Sequence, residues 1–148
     1  MLQFEGDRDF PLPPADLFAK LTDARFLVQC LPDVDKVTEC EADHAALVLR
    51  PSFAFVRGTL DMTMHIVEAV APASARVRVH SKGIGSSSTV EAALAFSATA
   101  DGTRVHWGAD ITELGGLLKM IPTGLIRGAA QKIIDDAWKM IEAKVTGA

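Results

Sequence analysis

Residues 126–145, IRGAAQKIIDDAWKMIEAKV, repeat apolar side chains at the 3.6-residue period of an α-helix. The apolar positions form one broad stripe: Ile126, Ala129, Ala130, Ile133, Ile134, Ala137, Trp138, Ile141 and Val145. The opposite face is polar and carries Arg127, Gln131, Asp135, Lys139 and Glu142. This pattern predicts an amphipathic helix from Ile121 to Val145, whose apolar face needs a β-sheet to pack against.

Upstream of this helix, residues 34–115 read as a succession of strands. The turns between them are predicted at Glu41–Asp43, Pro72–Ser74, Gly83–Ser88 and Asp101–Gly102. Strict alternation in the last two strands predicts the inward-facing residues Val90, Ala92, Leu94, Phe96, Val105, Trp107, Ala109 and Ile111. The strands therefore predict an antiparallel meander, with water on the side of Glu91, Arg104, His106 and Asp110.

One predicted strand, from Phe53 to Val70, is long and changes the parity of its apolar residues near Arg57–Gly58. The apolar positions are Phe53 and Phe55 before the change, and Leu60, Met62, Met64 and Ile66 after it. A β-bulge at Gly58 would place both groups on one face and would bend the strand. Such curvature lets a sheet wrap around a helix.

The amino-terminal segment predicts a strand followed by two short helices. Apolar and small residues alternate along the strand, at Leu2, Phe4, Gly6 and Phe10, and only Arg8 interrupts them. Pro14 suits the first turn of one helix, and Pro32 ends the next. The complete order predicts an α+β fold in which a curved seven-stranded antiparallel sheet wraps around the long C-terminal helix.

Composition limits the possible functions. The 148 residues suit a single domain, 1–148, and the balance of 15 basic and 19 acidic residues gives a net charge of -4. No basic surface for nucleic acid is therefore expected. The apolar runs are too short to cross a bilayer, and the amino terminus does not resemble a signal peptide. The expected location is the cytoplasm, either free or peripheral at the inner face of the membrane.

Candidate chemical groups are few. Cys30 and Cys40 lack CxxC spacing and are predicted to be reduced, packed thiols. The histidines lie far apart, which favours surface positions over a metal site or a catalytic base: His44, His65, His80 and His106. No cofactor is expected. Arg8 and Arg57 could hydrogen-bond a ligand, and salt bridges are the alternative for both.

Several short sequences resemble those of the CoxG family of carbon monoxide dehydrogenase subunits, which belongs to the START-like (SRPBCC) superfamily and has its helix-grip fold. They are Phe4-Glu5-Gly6, Leu17-Phe18 after Pro14, Leu21-Thr22-Asp23, Cys30-Leu31-Pro32, Gly83-Ile84-Gly85, Gly102-Thr103 with Val105 and Trp107, and Gly115-Gly116 with Leu118. The resemblance runs almost end to end. Asp33 departs from it, because the family usually has glycine there. Many members also carry a proline-rich extension and a membrane-attaching tail, and neither that tail nor a transmembrane anchor is expected here.

The resemblance implies a hydrophobic cavity for a quinone- or lipid-like ligand, and service to a molybdenum-containing dehydrogenase of the carbon monoxide dehydrogenase type. The predicted lining lies between the sheet and the C-terminal helix and comprises Phe53, Phe55, Arg57, Met62, Met64, Phe96, Trp107, Ile111, Leu118, Ile121, Leu125 and Ala129. Gly124 and Gly128 would leave room there, and the Gly83–Ser88 hairpin with residues 114–122 would form the mouth. Binding without catalysis is the leading interpretation. The alternative is a small cyclase, dehydratase or isomerase that uses a polar group in the same cavity.

Overall fold

The structure is a computed structural model, and it describes residues 2–31, 33–50, 58–83 and 85–146. The strands, numbered in chain order, are β1 (Leu2–Phe10), β2 (Val34–Cys40), β3 (His44–Leu49), β4 (Leu60–Val70), β5 (Ser74–Gly83), β6 (Ser86–Thr99) and β7 (Gly102–Gly116). The helices are α1 (Pro14–Leu21), α2 (Ala24–Gln29) and α3 (Thr123–Val145), with a 3₁₀ helix at Leu117–Met120. The predicted α+β fold is confirmed.

The strands form one seven-stranded antiparallel sheet in the order β1-β7-β6-β5-β4-β3-β2. From β2 to β7, strands that neighbour each other in sequence also pair, and β1 closes the other edge against β7. The assigned faces of β6 and β7 are confirmed, because Leu94, Phe96, Val105, Trp107 and Ile111 are buried. Arg104 and His106, between them, are exposed.

The predicted long strand is described only in part. Strand β4 begins at Leu60, and Phe53, Phe55 and Arg57 lie outside the described residues, so the bulge at Gly58 stays a prediction. Within β4 the pairing with β5 shifts between Ile66 and Glu68. A second shift lies between β6 and β7, where Thr89 pairs with Glu113 but Val90 pairs with Ile111. Such irregularities bend a sheet, so the curvature has sources that the sequence pattern did not reveal.

Two separate clusters of buried apolar residues lie on the concave face. The larger one joins β1, β6 and β7 to α1 and to α3, at Ile126 and in the C-terminal half of the helix, and its members include Phe10, Leu17, Val105, Trp107 and Trp138. The smaller one packs α2 against β3, β4 and β5, through Ala24, Val28, Ala45, Leu47, Met64 and Val77. A domain of this size usually has one contiguous core. Here two clusters are present, and Leu27 of α2 packs against both.

Polar contacts join the elements that surround the larger cluster. The fully buried Thr103 hydroxyl donates a hydrogen bond to the carbonyl oxygen of Leu12 over 2.6 Å, which attaches the segment before α1 to β7. Arg8 lies on the concave side of β1, and its guanidinium donates to the Glu142 carboxylate of α3 at 3.0 Å. Asp135 lies 3.8 Å from the same guanidinium. The salt-bridge interpretation of Arg8 is therefore confirmed.

Candidate functional site

A cavity of about 300 Å³ lies between the first half of α3 and the concave face of the sheet. Its walls are Phe4 of β1, Leu31, strand residues of β4 to β7, and one face of α3. The lining residues are Phe4, Leu31, Leu60, Met62, Met64, Val79, Ser81, Ser88, Val90, Ala109, Ile111, Leu114, Leu118, Ile126, Ala129, Ala130, Ile133 and Ile134. Phe4 and Ile111 belong to the larger core cluster and Met64 to the smaller one. The cavity therefore borders both clusters.

Small side chains on α3 contribute to this space. The first half of the helix directs the small side chains of Ala129 and Ala130 toward the sheet. The second half instead directs the large side chain of Trp138 into the packed cluster. The prediction for Gly124 and Gly128 was wrong, because both glycines are exposed and a Cβ atom added to either would meet nothing within 4 Å. They lie on the solvent side of the helix. The room between helix and sheet comes from the alanines.

Only two lining residues among those described carry a polar side chain, Ser81 of β5 and Ser88 of β6. They stand directly opposite each other in the pairing of the two strands. Neither hydroxyl has a hydrogen-bond partner among the described residues, so both are available to a ligand. Sequence reasoning assigned Ser88 to the turn Gly83–Ser88 and gave Ser81 no role. The inward parity of Val79 and Val90 extends to these serines and could have found them.

The predicted lining residues divide into groups. Five line the cavity: Met62, Met64, Ile111, Leu118 and Ala129. Phe96 and Trp107 face inward but lie in the packed cluster, and Ile121 packs against that cluster. Leu125 points outward and is 57% exposed. Phe53, Phe55 and Arg57 lie outside the described residues.

The described lining contains no ionisable side chain. Arg8 is occupied by its carboxylate partners on α3, and none of the histidines lines the cavity. His44 lies on β3. Its ring hydrogen-bonds to the carboxylate of Asp43, which has the larger effect, and to that of Glu39, and both bonds raise the pKa of His44 above the ordinary value. The described part of the lining thus offers hydroxyl hydrogen bonds and apolar contact, without a group for proton transfer at neutral pH.

The two cysteines differ in environment. Burial raises the pKa of the Cys30 thiol to about 11, and that thiol donates to the carbonyl oxygen of Phe26 over 3.5 Å. Cys30 is thus packed, as predicted, and a buried thiol with a raised pKa is unreactive. Cys40 is also a free thiol, but the prediction that it is packed was wrong, because its side chain is exposed. Cys40 lies on β2, an edge strand that is almost entirely exposed.

Two negative results concern the described residues alone. No group of three or more His, Cys, Asp or Glu side chains in them is arranged to hold a metal ion. None of their helices is long and apolar enough to span a bilayer.

Comparison with known proteins adds a family match. The family model for CoxG, described as a subunit of carbon monoxide dehydrogenase, matches residues 6–146. No curated protein gave a significant match.

Solved structures share the fold. A conserved protein from Geobacillus kaustophilus is similar with a TM-score of 0.86 at 20% identity, over 99% of this chain and 96% of that one. A protein from Chromobacterium violaceum gives 0.69 at 15% identity, over 97% and 96%. One from Thermus thermophilus gives 0.63 at 20% identity, over 99% and 98%. These likenesses support the helix-grip fold.

Proposed function

The chain belongs to the CoxG family of carbon monoxide dehydrogenase subunits, and from this premise we propose that it binds and carries a small hydrophobic molecule in the cavity under α3. The observation that carries the proposal is a cavity of about 300 Å³ whose described lining is apolar except for two serines. Pockets for small organic ligands begin at about this volume and combine an apolar lining with a few polar groups.

The apolar lining supplies the driving force. Removing roughly 250 Å² of apolar ligand surface from water contributes about 6 kcal/mol, at about 25 cal/mol per Å². Association costs about 4 kcal/mol or more in lost freedom of motion. Each further buried methylene contributes about 0.8 kcal/mol. A compact ring system with an attached hydrocarbon chain therefore fits better than a small polar metabolite.

The paired serines favour a ligand that carries a carbonyl or hydroxyl oxygen. Ser81 and Ser88 each present a hydroxyl that can donate to such an oxygen, and their side-by-side position allows both to reach one atom. A quinone-like head group provides a carbonyl on a flat apolar ring. This combination supports a quinone- or lipid-like ligand.

Carriage is favoured over catalysis. The alternative of a cyclase, dehydratase or isomerase requires a group that transfers protons inside the cavity, and the described lining has none. The family name supports a second part of the proposal, in which the ligand serves a dehydrogenase of the carbon monoxide dehydrogenase type. Co-purification of the two proteins from cells that contain both tests that part.

Ligand binding is tested with the purified protein and two probes. The hydrocarbon 1,6-diphenylhexatriene, which fluoresces in apolar surroundings, should bind saturably at one molecule per chain. A fully substituted quinone, 2-methyl-3-prenyl-1,4-naphthoquinone, should displace it, and full substitution of the quinone ring protects the exposed Cys40 thiol from addition. Organic extraction and native mass spectrometry should show a co-purified apolar molecule. The proposal fails if neither probe binds saturably to folded protein.

The serine pair predicts a selective loss of affinity. Replacing Ser81 and Ser88 by alanine should weaken binding of the prenyl naphthoquinone by about 3- to 10-fold, because one hydrogen bond contributes about 1 kcal/mol net. Binding of diphenylhexatriene should stay the same, since this hydrocarbon accepts no hydrogen bond. Displacement titrations measure both. Ser97→Ala, an exposed position on the same strand β6, is the matched control. Equal losses for both probes would contradict the assigned role.

A further inference from the structure

The convex face of the sheet, on the side away from the cavity, carries polar pairs between neighbouring strands. Hydrogen-bonded and oppositely charged pairs of this kind stabilise a sheet. Three such pairs have nitrogen–oxygen distances of 2.8 Å: Asp9–Arg104, Asp7–His106 and Arg78–Glu91. The first two join β1 to β7, and the third joins β5 to β6. These rows of the convex face are therefore satisfied within one chain.

One row between these pairs is different. Standing side by side in the register of four strands are Glu5 of β1, Gly108 of β7, Ala93 of β6 and Arg76 of β5. Glu5 and Arg76 are exposed, and among the described residues neither side chain has an ion-pair or hydrogen-bond partner. At about 4.8 Å per strand, the two residues lie roughly 14 Å apart. A trough of about 320 Å³ lies over Ala93 and Gly108, with Arg76 at its wall. The row thus holds two unpaired opposite charges on either side of a floor of small residues.

The row is complementary to itself. A twofold axis that runs parallel to the strands through the middle of the row exchanges its two ends. Glu5 of one copy then faces Arg76 of the other, and the same pair forms a second time. Interfaces between identical subunits related by a twofold axis require such a self-complementary patch. In the next row, Glu91 is already neutralised by Arg78, which limits its repulsion of Asp110 in the other copy.

The shape of the face suits contact between two copies. Two convex surfaces touch only near their middle, where Gly108 and Ala93 allow a closer approach than the usual spacing of about 10 Å between packed sheets. The gap widens toward the ends of the row, and glutamate and arginine have the long side chains needed to cross it. Small residues at the centre and long charged residues at the ends are therefore what this geometry requires.

We propose that two copies of this chain associate through their convex faces, with the row from Glu5 to Arg76 at the centre of the interface. The second copy is favoured over a different partner because a surface of a single charge would satisfy only one end of the row. Both cavities stay outside the interface and face away from each other. The inference is independent of the proposed function, since neither Glu5 nor Arg76 lines the cavity.

Sedimentation velocity over a range of protein concentrations tests the proposal. Wild-type protein should show a monomer–dimer equilibrium that added salt weakens. Arg76→Glu should raise the dissociation constant of the dimer about tenfold or more, because both ion pairs become repulsive contacts. Combining Arg76→Glu with Glu5→Arg restores opposite charges and should return the constant to within about threefold of wild type. Ala93→Gln, which leaves the charge unchanged, should also weaken the dimer about tenfold or more by holding the two faces apart.

Lys139→Glu is the matched control, since it makes the same change of charge at an exposed position of α3, away from the convex face. This variant should dimerise as wild type does, within about twofold. Equal weakening by Lys139→Glu and Arg76→Glu, or no recovery in the charge-swapped double variant, overturns the proposal. A wild type that stays monomeric at every concentration overturns it too. If that monomer co-purifies with a dehydrogenase and Arg76→Glu abolishes the association, the row is assigned to that partner instead.

Diphenylhexatriene titration separates this inference from the proposed function. Arg76→Glu should bind the probe as wild type does, because the trough and the cavity lie on opposite faces of the sheet. Saturable probe binding by a protein that never dimerises would sink the dimer alone. A dimer without any saturable probe site would sink the proposed function alone.

Discussion

Replacing Ala129 by phenylalanine is expected to abolish saturable binding of diphenylhexatriene and of the prenyl naphthoquinone while the protein stays folded. Ala129 lines the cavity from α3. A cavity of roughly 150 Å³ is needed for a benzene-sized molecule, so a phenyl ring would occupy about half of the 300 Å³ available. The remaining space is too small for either probe. We expect at least a hundredfold loss of affinity.

The same substitution should not destabilise the protein. Filling a cavity commonly contributes about 0.5–2 kcal/mol to the free energy of unfolding, and the ring enters space without displacing packed side chains. The melting temperature should therefore be unchanged or higher. Ala143→Phe is the matched control, since Ala143 is exposed on the same helix and should keep full ligand affinity. Wild-type affinity in Ala129→Phe would show that the ligand binds elsewhere.

The periodic patterns of the sequence were sufficient to predict most of the fold. The stripe along residues 126–145 predicted α3, and alternation in β6 and β7 predicted which side chains face inward. Both patterns depend on local geometry, because a side chain's direction follows from its place in a helix or strand. The order of the elements then left few ways to cover the apolar face of the helix.

The distinction between packed and open parts of the interior could not be predicted in this way. Trp107 and Ile111 share one face of β7, but Trp107 lies in the packed cluster and Ile111 also lines the cavity. Alternation assigns both to the same side and says nothing of the distance to α3. That distance depends on residues remote in sequence, with Trp138 at one end of the helix and Ala129 at the other.

Leu125 was predicted to line the cavity, but its side chain is exposed to solvent. It precedes Ile126, which is buried, and apolar character alone suggested that both face the sheet. Successive helical residues differ in direction by about 100°. Since Ile126 faces the cavity, its neighbour points to solvent. Leu125 does not belong to the apolar stripe that begins at Ile126, and its angular position on the helix therefore predicts an exposed side chain.

Replacing Trp138 by alanine is expected to lower the free energy of unfolding by about 3–5 kcal/mol. Trp138 is buried in the second half of α3, with its ring centre 6.1 Å from that of Phe10 and 5.9 Å from that of Trp107. Removing the indole ring leaves a void between α3 and the rings of Phe10 and Trp107. The better helix propensity of alanine offsets only a few tenths of a kcal/mol. Urea denaturation followed by circular dichroism measures the loss.

Ile133→Ala is the informative comparison, because Ile133 lies on the same helix but lines the cavity and is 40% exposed. Its truncation should cost about 1 kcal/mol or less in the ligand-free protein, since few packed atoms lose contact. A much larger cost for Trp138→Ala means that α3 is held by its second half, where Arg8 also pairs with Glu142. The first half then covers the cavity without filling it. A similar loss of stability per buried atom at Trp138 and Ile133 would mean that α3 packs evenly along its length. A carrier instead needs open space under the first half of the helix.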